Sequence, residues 1–136
     1  MRIAPKRLPP IAKAALVARI CSHYFSARLA LRRRPLPEVV IAISRIGAES
    51  RMMADPRRLG RIVARVLHVG PWRARCLHTS MVLFRLLREQ GDTAELVIGL
   101  PREPRDKDAH AWVEIDGSDI GPPPGRGRHE EIARYR

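Results

Sequence analysis

The feature that most constrains this sequence is a change in hydrophobic period near Gly91. Before Gly91, apolar residues recur at helical spacing, whereas residues 94–99 and 109–115 form two short runs typical of strands. Asp116-Gly117 then signals a tight turn into a short return strand at residues 118–121. Helices followed by a small antiparallel sheet predict an α+β fold.

The length of 136 residues suits a single domain, which we divide into three parts. Residues 1–70 are the helical part, and residues 71–121 hold one more helix and the strands. Residues 122–136 are expected to form a flexible tail, in which residues 130–135 could add a final turn of helix.

Two local signals define helix ends. Asp55-Pro56 predicts a helix start, because Asp accepts hydrogen bonds from first-turn amides and Pro fits the first helical position. Gly91 predicts the C-terminal cap of a later helix that runs from about Arg75 to Gln90, since glycine tolerates a positive φ.

Cys76 stands at the start of that later helix. The partial positive charge of a helix N-terminus lowers a thiol pKa, so the position suits an activated nucleophile. The alternative is that Cys76 is simply a small buried apolar residue, as lone cysteines commonly are. Cys21 lacks this setting and is interpreted as structural. In a cytoplasmic chain, two cysteines this far apart are expected to stay reduced.

His110 opens the second predicted strand. Strand alternation places His110, Trp112 and Glu114 on one face of the sheet. A histidine at a strand start gains functional weight only beside a nucleophile. The other histidines lack that setting, because three lie on predicted helices and His129 lies in the expected tail.

Several short segments together resemble the transglutaminase-like leader peptidases of lasso-peptide biosynthesis. The resemblance covers about residues 72–121 and implies a nucleophile-bearing helix packed on a small antiparallel sheet, with a papain-like Cys-His-Asp mechanism. The segments that carry it are Arg75-Cys76-Leu77, Leu86-Leu87-Arg88, Ala94-Glu95-Leu96-Val97-Ile98-Gly99 and Ala109-His110-Ala111-Trp112-Val113-Glu114.

The resemblance implies a cysteine protease that removes the leader from a ribosomally made precursor peptide. A separate macrolactam cyclase would then close the ring through the freed N-terminus. A chain of this length leaves no room for the family's leader-recognition domain, so we expect a separate recognition protein. Cys76 would be the nucleophile, His110 the general base and acid, and no cofactor is implied.

The third catalytic residue is less well defined than this pair. The family's acid normally lies on the return strand, and the position twelve residues after His110 is Pro122. Asp119 is the candidate acid, with Asp116 as the alternative. In a tight hairpin, however, Asp119 would lie about 13 Å from His110. A non-catalytic scaffold that binds the precursor or the cyclase is therefore the second hypothesis.

The formal net charge of +12 points to an acidic partner, such as an acidic leader or protein. Nucleic acid is the third hypothesis and ranks last, because no aromatic residue joins Arg32-Arg33-Arg34 and no reading motif is present. The absence of a Cys-x-x-Cys pair argues against a structural zinc site. The apolar stretch at residues 11–21 is too short to span a membrane, so we expect a cytoplasmic protein.

Overall fold

A computed structural model describes residues 9–45, 54–68, 76–102, 109–121 and 129–136. The described part of the chain runs as four helices followed by four strands, which confirms the predicted α+β class. The elements are α1 (Pro10–Arg33), α2 (Leu36–Ser44), α3 (Pro56–His68), α4 (Cys76–Glu89), β1 (Ala94–Pro101), β2 (His110–Ile115), β3 (Ser118–Gly121) and β4 (His129–Tyr135).

The strands form one sheet in the order β3-β2-β1-β4, and all three pairings are antiparallel. The β1–β2 pairing sets Gly99 opposite His110 and Val97 opposite Trp112. Because side chains alternate along a strand, these four residues project from the same face of the sheet. The opposite face, which carries Leu96 and Val113, joins the main core with all four helices.

Both helix-end predictions are confirmed where the structure describes them. The Arg58 amide donates to Oδ2 of Asp55 at 3.1 Å, so Asp55 caps the start of α3. Gly91 has a φ of 90°, and the Asp92 amide donates back to the Leu87 carbonyl at 2.9 Å. This closing bond satisfies a carbonyl at the end of α4, as left-handed caps do.

Helix α4 is the centre of the fold because it is buried along most of its length. Its residues Ser80, Leu83, Phe84 and Leu87 are all completely buried. Their spacing of three and four puts them on one helical face, and α4 packs on β1 and β2 as well as on the other helices. The first turn of α4 is consequently held against the start of β2.

The expected helical turn at residues 130–135 is wrong, because these residues belong to strand β4. Strand β4 pairs with β1 through a bulge between Ile98 and Gly99, and so covers an edge of β1 that would otherwise be unpaired. The acidic start of the segment favours a helix when the segment is considered alone. The remainder of the expected tail, residues 122–128, lies outside the described residues.

Candidate active site

Cys76 is the first residue of α4, and its side chain is half-buried. First-turn amides of a helix have no partner within the helix, so they can stabilise a negatively charged sulfur. The thiol donates to the Ala109 carbonyl at 3.8 Å, just before β2 begins. Cys76 therefore faces the beginning of the strand that carries His110.

The structure brings Cys76 and His110 together. A hydrogen bond between their side chains is the main reason why the Cys76 pKa lies below its ordinary value. Burial opposes this effect by raising the pKa, whereas the backbone amides of Ala111 and Leu77 lower it further. A lowered pKa increases the thiolate fraction near neutral pH, and the thiolate is the nucleophilic form.

The Cys76–His110 pair lies in a cavity of about 660 Å³ with mainly apolar walls. Leu36 from α2, Leu77 from α4 and Ile98 from β1 line it beside this pair. Ala109 and Ala111, on either side of His110, complete the lining. The thiol is thus reachable from a recess that can hold a side chain or a short segment of peptide.

A buried hydrogen bond links the helix that carries Cys76 to the strand that carries His110. The Ser80 hydroxyl donates to the Ala111 carbonyl at 2.8 Å. Ser80 lies one turn after Cys76, and Ala111 immediately follows His110. This bond sets the position of α4 along β2 and thereby the separation of the Cys76 and His110 side chains.

The structure does not bring Asp119, the candidate third residue, to His110. The tight Asp116-Gly117 turn pairs Asp119 with Glu114, four residues along β2 from His110. Oδ1 of Asp119 accepts a hydrogen bond from the Gly121 amide at 2.8 Å. Asp116 occupies the turn itself, with a φ of 49°. Pro122, at the family's acid position, lies outside the described residues.

A second histidine lies beside His110, and sequence analysis missed it. The ring of His129, the first residue of β4, is 4.9 Å from the His110 ring between centroids. The Trp112 ring is 5.9 Å from His110 and 6.0 Å from His129. Alternation along β2 predicts that Trp112 lies on the same face as His110. The position of His129 could not be predicted in this way, because it depends on the pairing of β4 with β1.

The aromatic cluster continues into an ionic network on the same face of the sheet. The Trp112 indole N–H donates to Oε2 of Glu114 at 2.7 Å, and both side chains are buried. Arg134 from β4 lies 3.4 Å from Glu114 and 2.6 Å from Glu131, and also pairs with Glu95. These carboxylates, Glu131 and Glu95 first, raise the Arg134 pKa above its ordinary value. The network holds Trp112 in place beneath the histidines.

Within residues 9–45, 54–68, 76–102, 109–121 and 129–136, no group of three His, Cys, Asp or Glu side chains is placed to hold a metal ion. Among the helices of those same ranges, none has both the length and the apolar character needed to cross a bilayer.

Comparison with known proteins gives one match. A family model described as the transglutaminase-like superfamily matches residues 16–134, a range that spans most of α1, the other three helices and almost all of the sheet. Comparisons with curated proteins and with solved structures give no match. The matched range includes both Cys76 and His110.

Proposed function

Because the chain belongs to the transglutaminase-like superfamily, we propose that it is a cysteine peptidase in which Cys76 and His110 perform the chemistry. The observation that carries this proposal is the hydrogen bond between the two side chains, made at a helix N-terminus inside an open cavity. A nucleophile beside a base is the arrangement that acyl transfer requires.

The reaction follows from the positions of these groups. The Cys76 thiolate attacks the scissile carbonyl carbon, and the developing oxyanion accepts a hydrogen bond from the Cys76 amide at the helix tip. His110, protonated by the thiol, gives this proton to the leaving amine as the C–N bond breaks. His110 then removes a proton from water, which attacks the thioester, releasing the carboxylate product and restoring the thiol.

The cavity beside Cys76 supports a peptide substrate. Apolar walls at Leu36, Leu77 and Ile98 can bury the aliphatic side chains of a peptide segment. Burying a single Leu-sized side chain contributes roughly 1.5–3 kcal/mol. Such a recess can select the residue next to the scissile bond.

The specific substrate in this proposal is the precursor of a lasso peptide, whose leader the enzyme removes before a separate cyclase forms the macrolactam. The sequence resemblance supports this assignment. A separate recognition protein would present the leader to the cavity. An acidic leader would also suit α1, which contains no acidic residue and exposes Lys13, Arg28, Arg32 and Arg33.

The decisive experiment incubates precursor peptide and recognition protein with the parent or with Cys76→Ala, and follows leader release by mass spectrometry. Cys76→Ala is expected to lower the rate by at least about a thousandfold, as loss of a nucleophile does. Cys21→Ala is the matched control and should retain parent activity, because Cys21 lies on α1. Equal cleavage by Cys76→Ala and the parent would contradict the proposal.

A binding-only scaffold is the second candidate, and the pairing of Asp119 with Glu114 favours it. Without a group to orient the imidazole, a Cys-His pair loses several orders of magnitude in rate. Such a scaffold would bind the precursor or the cyclase with the same affinity in the parent and in Cys76→Ala. It would also release no leader under any condition.

A further inference from the structure

The third group beside His110 is a second imidazole. The His110 and His129 ring centroids are 4.9 Å apart and the ring planes are tilted by 36°. The two imidazole rings are therefore in contact but are not stacked in parallel. Trp112 contacts both rings and closes the cluster on one side.

The two histidines come from strands that are not neighbours in the sheet. Strand β1 separates β2 from β4, and two strand spacings amount to about 10 Å. The rings meet because the residue of β1 opposite His110 is Gly99, which has no side chain. A Cβ built on Gly99 would lie 2.8 Å from the Trp112 ring and 2.9 Å from the Glu130 carbonyl. Gly99 thus leaves room over β1 for the three rings.

A general-base imidazole needs a partner that fixes its tautomer and ring orientation. A neutral imidazole can supply this partner, because it carries one N–H donor and one nitrogen acceptor. Asp119 is held opposite Glu114 instead. The ring of His129, by contrast, is in contact with the His110 ring.

We propose that His129 is a positioning residue that holds the His110 ring in the orientation required to exchange a proton with Cys76. This inference rests on the proposed function of the Cys76–His110 pair. The active unit is then Cys76, His110 and His129, with the last residue supplied by the strand that closes the sheet. Trp112, whose indole N–H donates to Glu114, contacts both imidazoles and restricts their movement.

The test compares His129→Phe with His129→Gln. Phenylalanine keeps a ring packed on Trp112 but cannot form a hydrogen bond, whereas glutamine provides an amide that can. His129→Phe is expected to lower kcat for leader release at least about a hundredfold with KM nearly unchanged, since a misoriented base acts on the chemical step. The kcat of His129→Gln should be at least about tenfold higher than that of His129→Phe. His68→Phe, at an exposed site on α3, should match the parent.

A second readout requires no peptide substrate. Alkylation of Cys76 by iodoacetamide near neutral pH should be several-fold slower in His129→Phe than in the parent, and should be partly restored in His129→Gln. Full activity and parent-like alkylation in His129→Phe would overturn this inference alone, provided that Cys76→Ala is inactive. Cleavage by Cys76→Ala would overturn the proposed function. A phenylalanine variant that outperforms the glutamine variant would show that His129 only fills space.

Discussion

The Ser80 hydroxyl donates a buried hydrogen bond of 2.8 Å to the Ala111 carbonyl, and this bond connects the helix that carries Cys76 to the strand that carries His110. The donor is one helical turn from Cys76, and the acceptor is one residue from His110. Movement of α4 along β2 would change the thiol–imidazole separation directly. Stability and reactivity therefore depend on the same contact.

We predict that Ser80→Ala lowers the free energy of unfolding by about 1–3 kcal/mol, because a buried acceptor loses a partner. It should also lower the turnover rate about tenfold to a hundredfold through misalignment of the pair. Urea titration and leader-release kinetics measure the two effects. Ser44→Ala is the matched control, since its hydroxyl bonds to the Ile41 carbonyl at an exposed site. Equal behaviour of the two variants would contradict the prediction.

The lowered Cys76 pKa gives a prediction about thiol reactivity with pH. Labelling of Cys76 by iodoacetamide should outpace that of Cys21 near pH 7, although both side chains are half-buried. His110→Ala should raise the Cys76 pKa, because the hydrogen bond from His110 is the main cause of its lowering. The midpoint of the rate–pH curve should then move to higher pH. Site-resolved mass spectrometry between pH 5 and 10 measures it, and an unmoved midpoint would count against the pair.

The space over Gly99 gives a prediction about packing. Gly99→Ala would place its Cβ 2.8 Å from the Trp112 ring and 2.9 Å from a backbone carbonyl, so the ring or β4 must shift. We expect a loss of about 1–3 kcal/mol in unfolding free energy, as overpacking causes, and lower activity through the displaced cluster.

Gly60→Ala is the control for Gly99→Ala. Its Cβ would meet the side chains of Leu83 and Ile120 at 3.4 and 3.5 Å, which are ordinary contacts. Because Gly60 lies inside α3, alanine should stabilise the protein by up to about 1 kcal/mol. In thermal melts, we expect the melting temperature to fall in Gly99→Ala and to rise in Gly60→Ala, each relative to the parent. If Gly99→Ala has the stability and activity of the parent, the space over β1 is not constrained and the prediction is wrong.

The Cys76–His110 pair was predictable because each residue carries a local signal. Cys76 follows from a helix start and His110 from a strand start, and the resemblance joined them. Strand β4 was missed because its pairing depends on β1, about thirty residues away, and on a bulge beside Gly99. The neighbourhood of His129 was missed for the same reason. A contact that forms only when a distant strand pairs with the sheet produces no recognisable hydrophobic pattern in the sequence of that strand.

The Glu89 cluster was beyond sequence analysis for a similar reason. Glu89 lies at the end of α4 with its side chain only 7% exposed, and its partners Arg19 and His23 are 70 and 66 residues away on α1. His23 Nε2 is 3.0 Å from Oε1 of Glu89, and Arg85 Nε is 3.2 Å from the same oxygen. No local pattern at Glu89 distinguishes this buried carboxylate from a solvated one.

The Glu89 cluster makes folding stability depend on pH. Burial, followed by the nearby charge of Arg85, keeps the His23 pKa below its ordinary value of 6.5. The unfolded chain therefore binds this proton more readily, and stability should fall as pH drops through about 6.5. Burial raises the Glu89 pKa, but His23 and Arg19 outweigh it and hold the pKa below 4.5, so its contribution is lost only below that pH.

We predict that the melting temperature of the parent falls between pH 7.5 and pH 5.5, and that His23→Gln removes part of this fall. The glutamine keeps a donor for Glu89 but cannot gain the proton that disfavours the folded state. His68→Gln is the control, because His68 is exposed at the end of α3, and it should keep the pH dependence of the parent. Scanning calorimetry at the two pH values gives the comparison. An identical fall in the parent and in His23→Gln would mean that burial does not suppress protonation of His23.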